Sequence, residues 1–266
     1  MISIVIPARN EQFLQQTIQS LLDNATGQIE IIVVLDGYWP DPPLRDDPRL
    51  RIIHRGKSQG MRNAINSAVS IASGDFIMKI DAHCMVAPEF DVVLTESCGR
   101  YTVIIPRRKR LDAANWCLVE DGRPDIDYEY LSVNLHGKPW DSCTLGRKEI
   151  QLDENMSFQG SCWLMRKDYY HWLELMDEGT YGPFSQEAQE IALKCWLSGG
   201  QVLTNKKTWY AHLHKGSTYG RGYPLSKSTV GVGEEAVKRW QQLGKAWHKQ
   251  IHDFQWLIDK FNPPGW

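Results

Sequence analysis

No run of about 18 apolar residues occurs in the 266-residue chain, so no membrane-spanning helix is expected. Met1 leads within two residues into an apolar strand, with no basic segment or cleavage site before it, and the expectation is a soluble, cytoplasmic protein. No Cys-x-x-Cys pair joins Cys84, Cys98, Cys117, Cys143, Cys162 and Cys195, which argues against a zinc ribbon or a dithiol redox site and for reduced, mostly buried thiols. A formal net charge of -2 supplies no overall field for nucleic acid or membrane. Internal repeats and low-complexity tracts are absent as well, and nothing in the chain signals an oligomeric state.

What is present is enough for a sizeable core: 42% of the residues are hydrophobic, and the length suits a single body. The eleven tryptophans are many for this length, and several flank Gly, Pro or charged residues, so some are expected to line a ligand cleft.

Ile2 to Pro7 reads as a strand, followed by the polar loop Ala8-Arg9-Asn10-Glu11 and a helical stripe in Leu14, Ile18, Leu21 and Leu22. Ile29 to Leu35 is a nearly continuous apolar run of the kind buried on both faces of a sheet, ending at Asp36-Gly37. A Pro- and Asp-rich loop precedes a third strand at Leu50 to His54. A helix from Gly60 to Ala72 is then stopped by Gly74, before a strand that ends in Asp81-Ala82-His83. The order β-α-β-β-α-β, with polar clusters at the strand ends, implies an α/β fold with an open, mostly parallel sheet that binds ligand along one rim, where Arg9, Glu11, Asp36, Arg62 and Asp81 fall.

Residues 107 to 155 show little periodicity and read as a long excursion that covers the site. Within them Arg107-Arg108-Lys109-Arg110 reads as a cationic loop. Met156 to Met165 is expected to be a strand with a small-residue kink, Lys167 to Met176 an aromatic helix, and Glu187 to Leu197 a helix ended by Gly199-Gly200. Two more strands are expected at Gln201 to Leu203 and Trp209 to His214. A Gly/Tyr/Arg-rich stretch, Gly216 to Pro224, then leads into one amphipathic helix with Ala236, Val237, Trp240, Leu243, Trp247 and Ile251 on its apolar face, continued by Phe254, Leu257 and Ile258.

A carboxylate and an imidazole two residues apart at a strand end can share one divalent cation, although Asp-x-His alone is more often an ordinary turn. Ile4 to Glu11, the strand ending in Asp36-Gly37, the Gly60 to Gly74 helix and Asp81-Ala82-His83 together resemble the nucleotide-sugar half of family 2 glycosyltransferases of the GT-A fold. Trp163 to Tyr170 and Ser185 to Gly200 are similar to the acceptor-side helix of these enzymes, most of all the polypeptide N-acetylgalactosaminyltransferases, with Ser185-Gln186 standing where two glycines are usual.

The resemblance implies a Rossmann-like GT-A catalytic domain over residues 1–215, with residues 216–266 packed on it as a C-terminal loop and helix. It implies a UDP-sugar donor and Mn²⁺ (or Mg²⁺) held by Asp81, His83 and a third ligand from the last strand, His212 or its neighbour His214. Such a cation offsets the charge that grows on a leaving diphosphate. Pro7, Arg9, Glu11 and Asp36 are then expected around base, ribose and phosphate, with Arg62, Lys79, Gly160 and Trp163 completing the donor site. Glu187 joins Asp81 as a catalytic residue, and His83 in place of a second acid points to retention of anomeric configuration. Glu11 as a cap for the following helix is the plainer reading of that residue. The acceptor is a hydroxyl on a glycan, a protein, a small molecule or a hydroxylated DNA base, the last suggested by Arg107 to Arg110 and Lys206-Lys207. A carbohydrate- or nucleic-acid-binding module without catalysis is the alternative.

Overall fold

Ile2–Ala8 is buried at every position except Pro7 and forms β1, in the middle of a large sheet, in a computed structural model that describes every residue except Leu243. After it come α1 (Leu14–Asn24), β2 (Ile29–Asp36), β3 (Leu50–Arg55), α2 (Met61–Ile71), β4 (Phe76–Ile80), β5 (Cys84–Val86), α3 (Phe90–Glu96) and β6 (Thr102–Asp112). The excursion holds β7 (Cys117–Leu118), β8 (Glu129–Leu131), β9 (Gly137–Pro139), α4 (Asp141–Gly146) and β10 (Leu152–Glu154). The chain continues through β11 (Cys162–Arg166), α5 (Lys167–Trp172), α6 (Glu178–Tyr181), α7 (Glu187–Leu197) and β12 (Gln201–His212). It closes with α8 (Gly216–Tyr219), α9 (Lys227–Gln242) and α10 (Phe254–Phe261).

The strand order is β10-β12-β6-β11-β4-β1-β2-β3, with β5 against β12 and β7 against β6. The block β4-β1-β2-β3 is parallel, as expected from its apolar runs, whereas β11 runs antiparallel to both β4 and β6. The order reverses at β1, because β2 and β3 extend to one side and β4 returns on the other. Such a switch point opens a crevice at the carboxyl ends of the strands, here where β1 ends at Ala8 and β4 at Ile80.

Side-chain alternation along the central strands feeds two cores. Val5, Ile32 and Val34 face α2, α5 and α7, while Ile4, Ile6, Ile31, Val33 and Leu35 face α1 and α3. Ala236, Val237 and Trp240 of α9 and Phe254, Leu257 and Ile258 of α10 join the first core beside α7.

Several expectations need correction. Arg107 to Arg110 lie inside β6, not in a loop, because β6 pairs with β12 along its whole basic stretch. The two late strands are one: β12 continues past a register shift between Asn205 and Trp209, next to Pro106, which has no N–H for the ladder. Residues 156 to 161 lie outside any strand, and β11 begins only at Cys162. The C-terminal helix is two helices, α9 and α10, and the expected apolar position Leu243 lies outside the described residues.

Candidate active site

Period-two alternation puts Lys79 and Asp81 on one side of the sheet, and the Asp81 N–H donates to the Ser161 carbonyl at 2.9 Å, carrying the pairing past the end of β4. The antiparallel pairing of β5 with β12 sets Cys84 opposite His212, so His83 and His212 become neighbours. Their Nε2 atoms are 3.1 Å apart. His212 Nε2 is 3.3 Å and His83 Nε2 3.9 Å from Asp81 Oδ2. One ligand atom from each of the three residues falls within 4.8 Å of the other two. His214, the alternative third ligand, is exposed and stands apart from this cluster. One carboxylate oxygen and two imidazole nitrogens converging at a cleft wall fit a divalent cation of the Mn²⁺ type. Burial pushes His212 down to about 4, against the pull of Asp81, so the imidazole is neutral at neutral pH. Burial alone would raise the Asp81 carboxyl, yet Lys79 and the two histidines hold it far below the usual range.

Behind Asp81 stands a buried network. Lys79, 1% exposed, donates to Asp81 Oδ1 at 2.6 Å, to the Gly160 carbonyl at 2.6 Å and to Glu187 Oε2 at 3.2 Å. These use all three ammonium donors. Trp163 lies opposite Lys79 in the β4–β11 register, and its indole N–H donates to Glu187 Oε1 at 2.6 Å. Glu187 is thus held at both oxygens, and its carboxyl is raised by burial in spite of Lys79. Gly160 makes the approach possible, since a Cβ there would sit 3.0 Å from Glu187 Oε2.

The three side chains of the first loop fasten the stretch after His212. Arg9 lies over the Tyr223 ring at 4.3 Å, Asn10 donates to the Gly222 carbonyl at 2.7 Å, and Lys215 donates to both Glu11 oxygens at 2.8 Å. Glu11 also accepts from His83 Nδ1 at 3.1 Å. It is not the cap of α1, which begins at Leu14 after Phe13 with no side-chain cap. Asp36 accepts from Arg55, Ser58, the Gln59 N–H and the Gly60 N–H. Four donors fill its oxygens, so it shapes the entrance to α2 and has no lone pair left for a ligand.

Pro7, Arg9, Glu11, Asp36, Lys79, Asp81, His83, Gly160, Glu187 and His212 all border one cleft of about 1480 Å³. Two expected donor residues do not. Arg62 is fully buried and pairs with Glu190, while donating to the Ser185 carbonyl at 2.8 Å. Trp163 is buried behind Glu187. No tryptophan lines the cleft among the described residues, and its aromatic lining is Phe158, Phe184 and Tyr223. The basic run is largely neutralised from within: Arg107 pairs with Asp127 at 2.7 Å, Arg108 with Glu129 at 2.7 Å and Lys109 with Asp125 at 3.4 Å. Lys206 is buried, donating to the Tyr128 hydroxyl and the Arg147 carbonyl. The residues missed from sequence are Lys215, Arg221 and Tyr223. The only signal for Arg221 and Tyr223 was the Gly/Tyr/Arg-rich composition of Gly216 to Pro224, and Lys215, just before it, had none.

Ser185 and Gln186, in place of two glycines, have φ of 78° and 54°. The backbone keeps a left-handed conformation that glycine adopts freely, and the side chains border the cleft beside Glu187.

A crystal structure of GalNAc-T7 with UDP, GalNAc and Mn²⁺ superposes with a TM-score of 0.79 over 98% of this chain and 56% of that one, at 17% identity. Together with the switch-point cleft, this defines the class of fold: GT-A. The chain belongs to glycosyl transferase family 2, whose profile matches residues 3–172. It is homologous to the N-acetylgalactosaminyltransferases. Putative polypeptide N-acetylgalactosaminyltransferase 13 of Drosophila melanogaster is 25% identical over 76% of this chain and 39% of its own length. Polypeptide N-acetylgalactosaminyltransferase 12 of Mus musculus is 22% identical over 98% of this chain and 51% of its own. The uncharacterized glycosyltransferase EpsJ of Bacillus subtilis is 34% identical over 41% of this chain and 36% of its own. The chain therefore spans about half or less of the length of these curated relatives. No helix among the described residues is long and apolar enough to cross a membrane.

Proposed function

We propose that this protein moves a hexosyl or N-acetylhexosaminyl group from a UDP-sugar to a hydroxyl acceptor, with retention, using Mn²⁺ (or Mg²⁺) at Asp81, His83 and His212. The observation that carries the reading is the convergence of those three side chains, within 4.8 Å, at the switch point of a family 2 glycosyltransferase sheet. When bound, the cation offsets the negative charge developing on the leaving diphosphate.

The chain's own residues do the rest. Pro7 and Ala8 wall the base side of the cleft. Arg9 has no carboxylate partner among the described residues and is free to meet phosphate from its place on Tyr223. Glu187, fixed by Lys79 and Trp163, offers a carboxylate edge to the donor sugar hydroxyls. Retention is supported by the histidine of Asp-x-His and by the homology to N-acetylgalactosaminyltransferases. The six free thiols suit the cytoplasmic location that this reading includes.

A glycan or protein hydroxyl is the acceptor we favour. A DNA acceptor calls for a row of free cations, whereas Arg107, Arg108 and Lys109 are each spent on a carboxylate. The test is a donor screen with Mn²⁺ that follows UDP release and reads the anomeric proton of the product by NMR. An α-linked product from an α-linked UDP-sugar is expected; a β-linked product would overturn retention, and no UDP release from any donor would overturn the transfer reading.

A further inference from the structure

We propose that Glu11 is a positioning residue for the cation site: it holds the proton of His83 on Nδ1 and so turns an open Nε2 lone pair toward Asp81 and His212. The inference rests on the metal reading above and concerns how the site is made ready before any ion arrives.

The geometry leaves the ring little choice. Glu11 Oε2 is 3.1 Å from His83 Nδ1, and Lys215 Nζ is 2.8 Å from both Glu11 oxygens. A carboxylate paired with an ammonium only accepts, so the hydrogen in the Glu11–His83 contact is on the imidazole nitrogen. The peptide that follows the ring is pinned on both sides: the Cys84 N–H donates to Thr17 Oγ1 at 3.0 Å, and the Leu213 N–H to the His83 carbonyl at 3.1 Å. In the neutral ring that hydrogen leaves His83 Nε2 bare, facing His212 Nε2 at 3.1 Å.

His212 differs. No side chain among the described residues meets its Nδ1, and its Nε2 lies within reach of both Asp81 Oδ2 and His83 Nε2, at 3.3 and 3.1 Å. The hydrogen in that triangle therefore belongs to His212. Cation uptake then demands one tautomer change, at His212, rather than two, since Glu11 has already made the change at His83. A carboxylate behind a ligating histidine raises its basicity and fixes its orientation in the same way at other metal sites.

The test uses the full chain. Without metal at neutral pH, ¹⁵N-edited histidine spectra are expected to show the Nδ1–H form of His83 in wild type and in Lys215→Met, and a shift toward the Nε2–H form in Glu11→Ala. Mn²⁺ titration followed by the electron paramagnetic resonance of the free ion is expected to give a Kd about 10- to 100-fold weaker for Glu11→Ala than for wild type. An Nε2–H tautomer of His83 in wild type overturns the proposal without any variant. A Kd for Glu11→Ala within about twofold of wild type overturns it as well. A wild-type chain that shows the Nδ1–H form but takes up no Mn²⁺ upholds the hold of Glu11 on the ring and contradicts the metal reading instead.

Discussion

Lys79 and Arg62 are both almost fully buried cations, and each reaches a glutamate in the first turn of α7, Lys79 to Glu187 and Arg62 to Glu190. From sequence both read as donor-site cations. Their remaining partners separate them. Lys79 also holds the Gly160 carbonyl and Asp81, a member of the candidate cation cluster. Arg62 holds the Ser185 carbonyl and touches Met176 Sδ at 3.8 Å, while Glu190 is shared with Lys194 at 2.8 Å and with the Asp177 N–H. One pair orders the candidate site at the cleft, and the other ties α2, α7 and the segment before α6 into the core. A buried cation takes its role from the groups on its far side.

The largest expected effect falls on the core pair. Arg62→Ala leaves Glu190 with only Lys194 as a charged partner and is expected to cost about 3–5 kcal/mol in urea unfolding, with the donor KM unchanged wherever the protein is folded. A loss of activity without a loss of stability would break the comparison. Lys79→Met is expected to lower UDP release by about 10²- to 10³-fold, as removal of a preorganised donor does at other sites, with kcat rather than KM carrying the change. Trp163→Phe keeps most of the ring volume and removes one hydrogen bond to Glu187, so roughly a tenfold loss in kcat is expected. Equal rates for Trp163→Phe and wild type would show that Lys79 alone positions Glu187.

A smaller effect separates fold from site at the other end of the strands. Burial would raise the Glu30 carboxyl, but Ser3, Ser73 and Arg51 bring it from 4.5 to about 2. Since the folded value is the lower one, this stabilisation is complete above about pH 4.5 and is lost as the pH falls toward 2. Urea midpoints measured across that window should fall less steeply for Glu30→Gln than for wild type, with UDP release at neutral pH unaffected; parallel profiles would remove Glu30 from the account.

The first half of the fold was legible because buried parallel strands leave apolar runs and helices leave a 3.6-residue stripe, as in Ile29 to Leu35 and Met61 to Ile71. Asp81 and His83 were legible because they close such a run, and His212 through resemblance. What sequence could not show is which charges are already spent. Lys79 and Glu187 are 108 residues apart, and Arg62 and Glu190 128. The carboxylates that neutralise Arg107 to Lys109 come from Asp125, Asp127 and Glu129 in a stretch without periodicity. Resemblance puts Glu11 around base, ribose and phosphate, and only the folded chain shows it against His83, 72 residues away.

The metal dependence of UDP release from a UDP-sugar is the most direct test, measured for wild type with Mn²⁺, for wild type with EDTA and for Asp81→Ala with Mn²⁺. Release by the first, and its loss in the second and third, is the result predicted. Release that survives both EDTA and Asp81→Ala would contradict the assignment of Asp81, His83 and His212 as the working centre of the cleft.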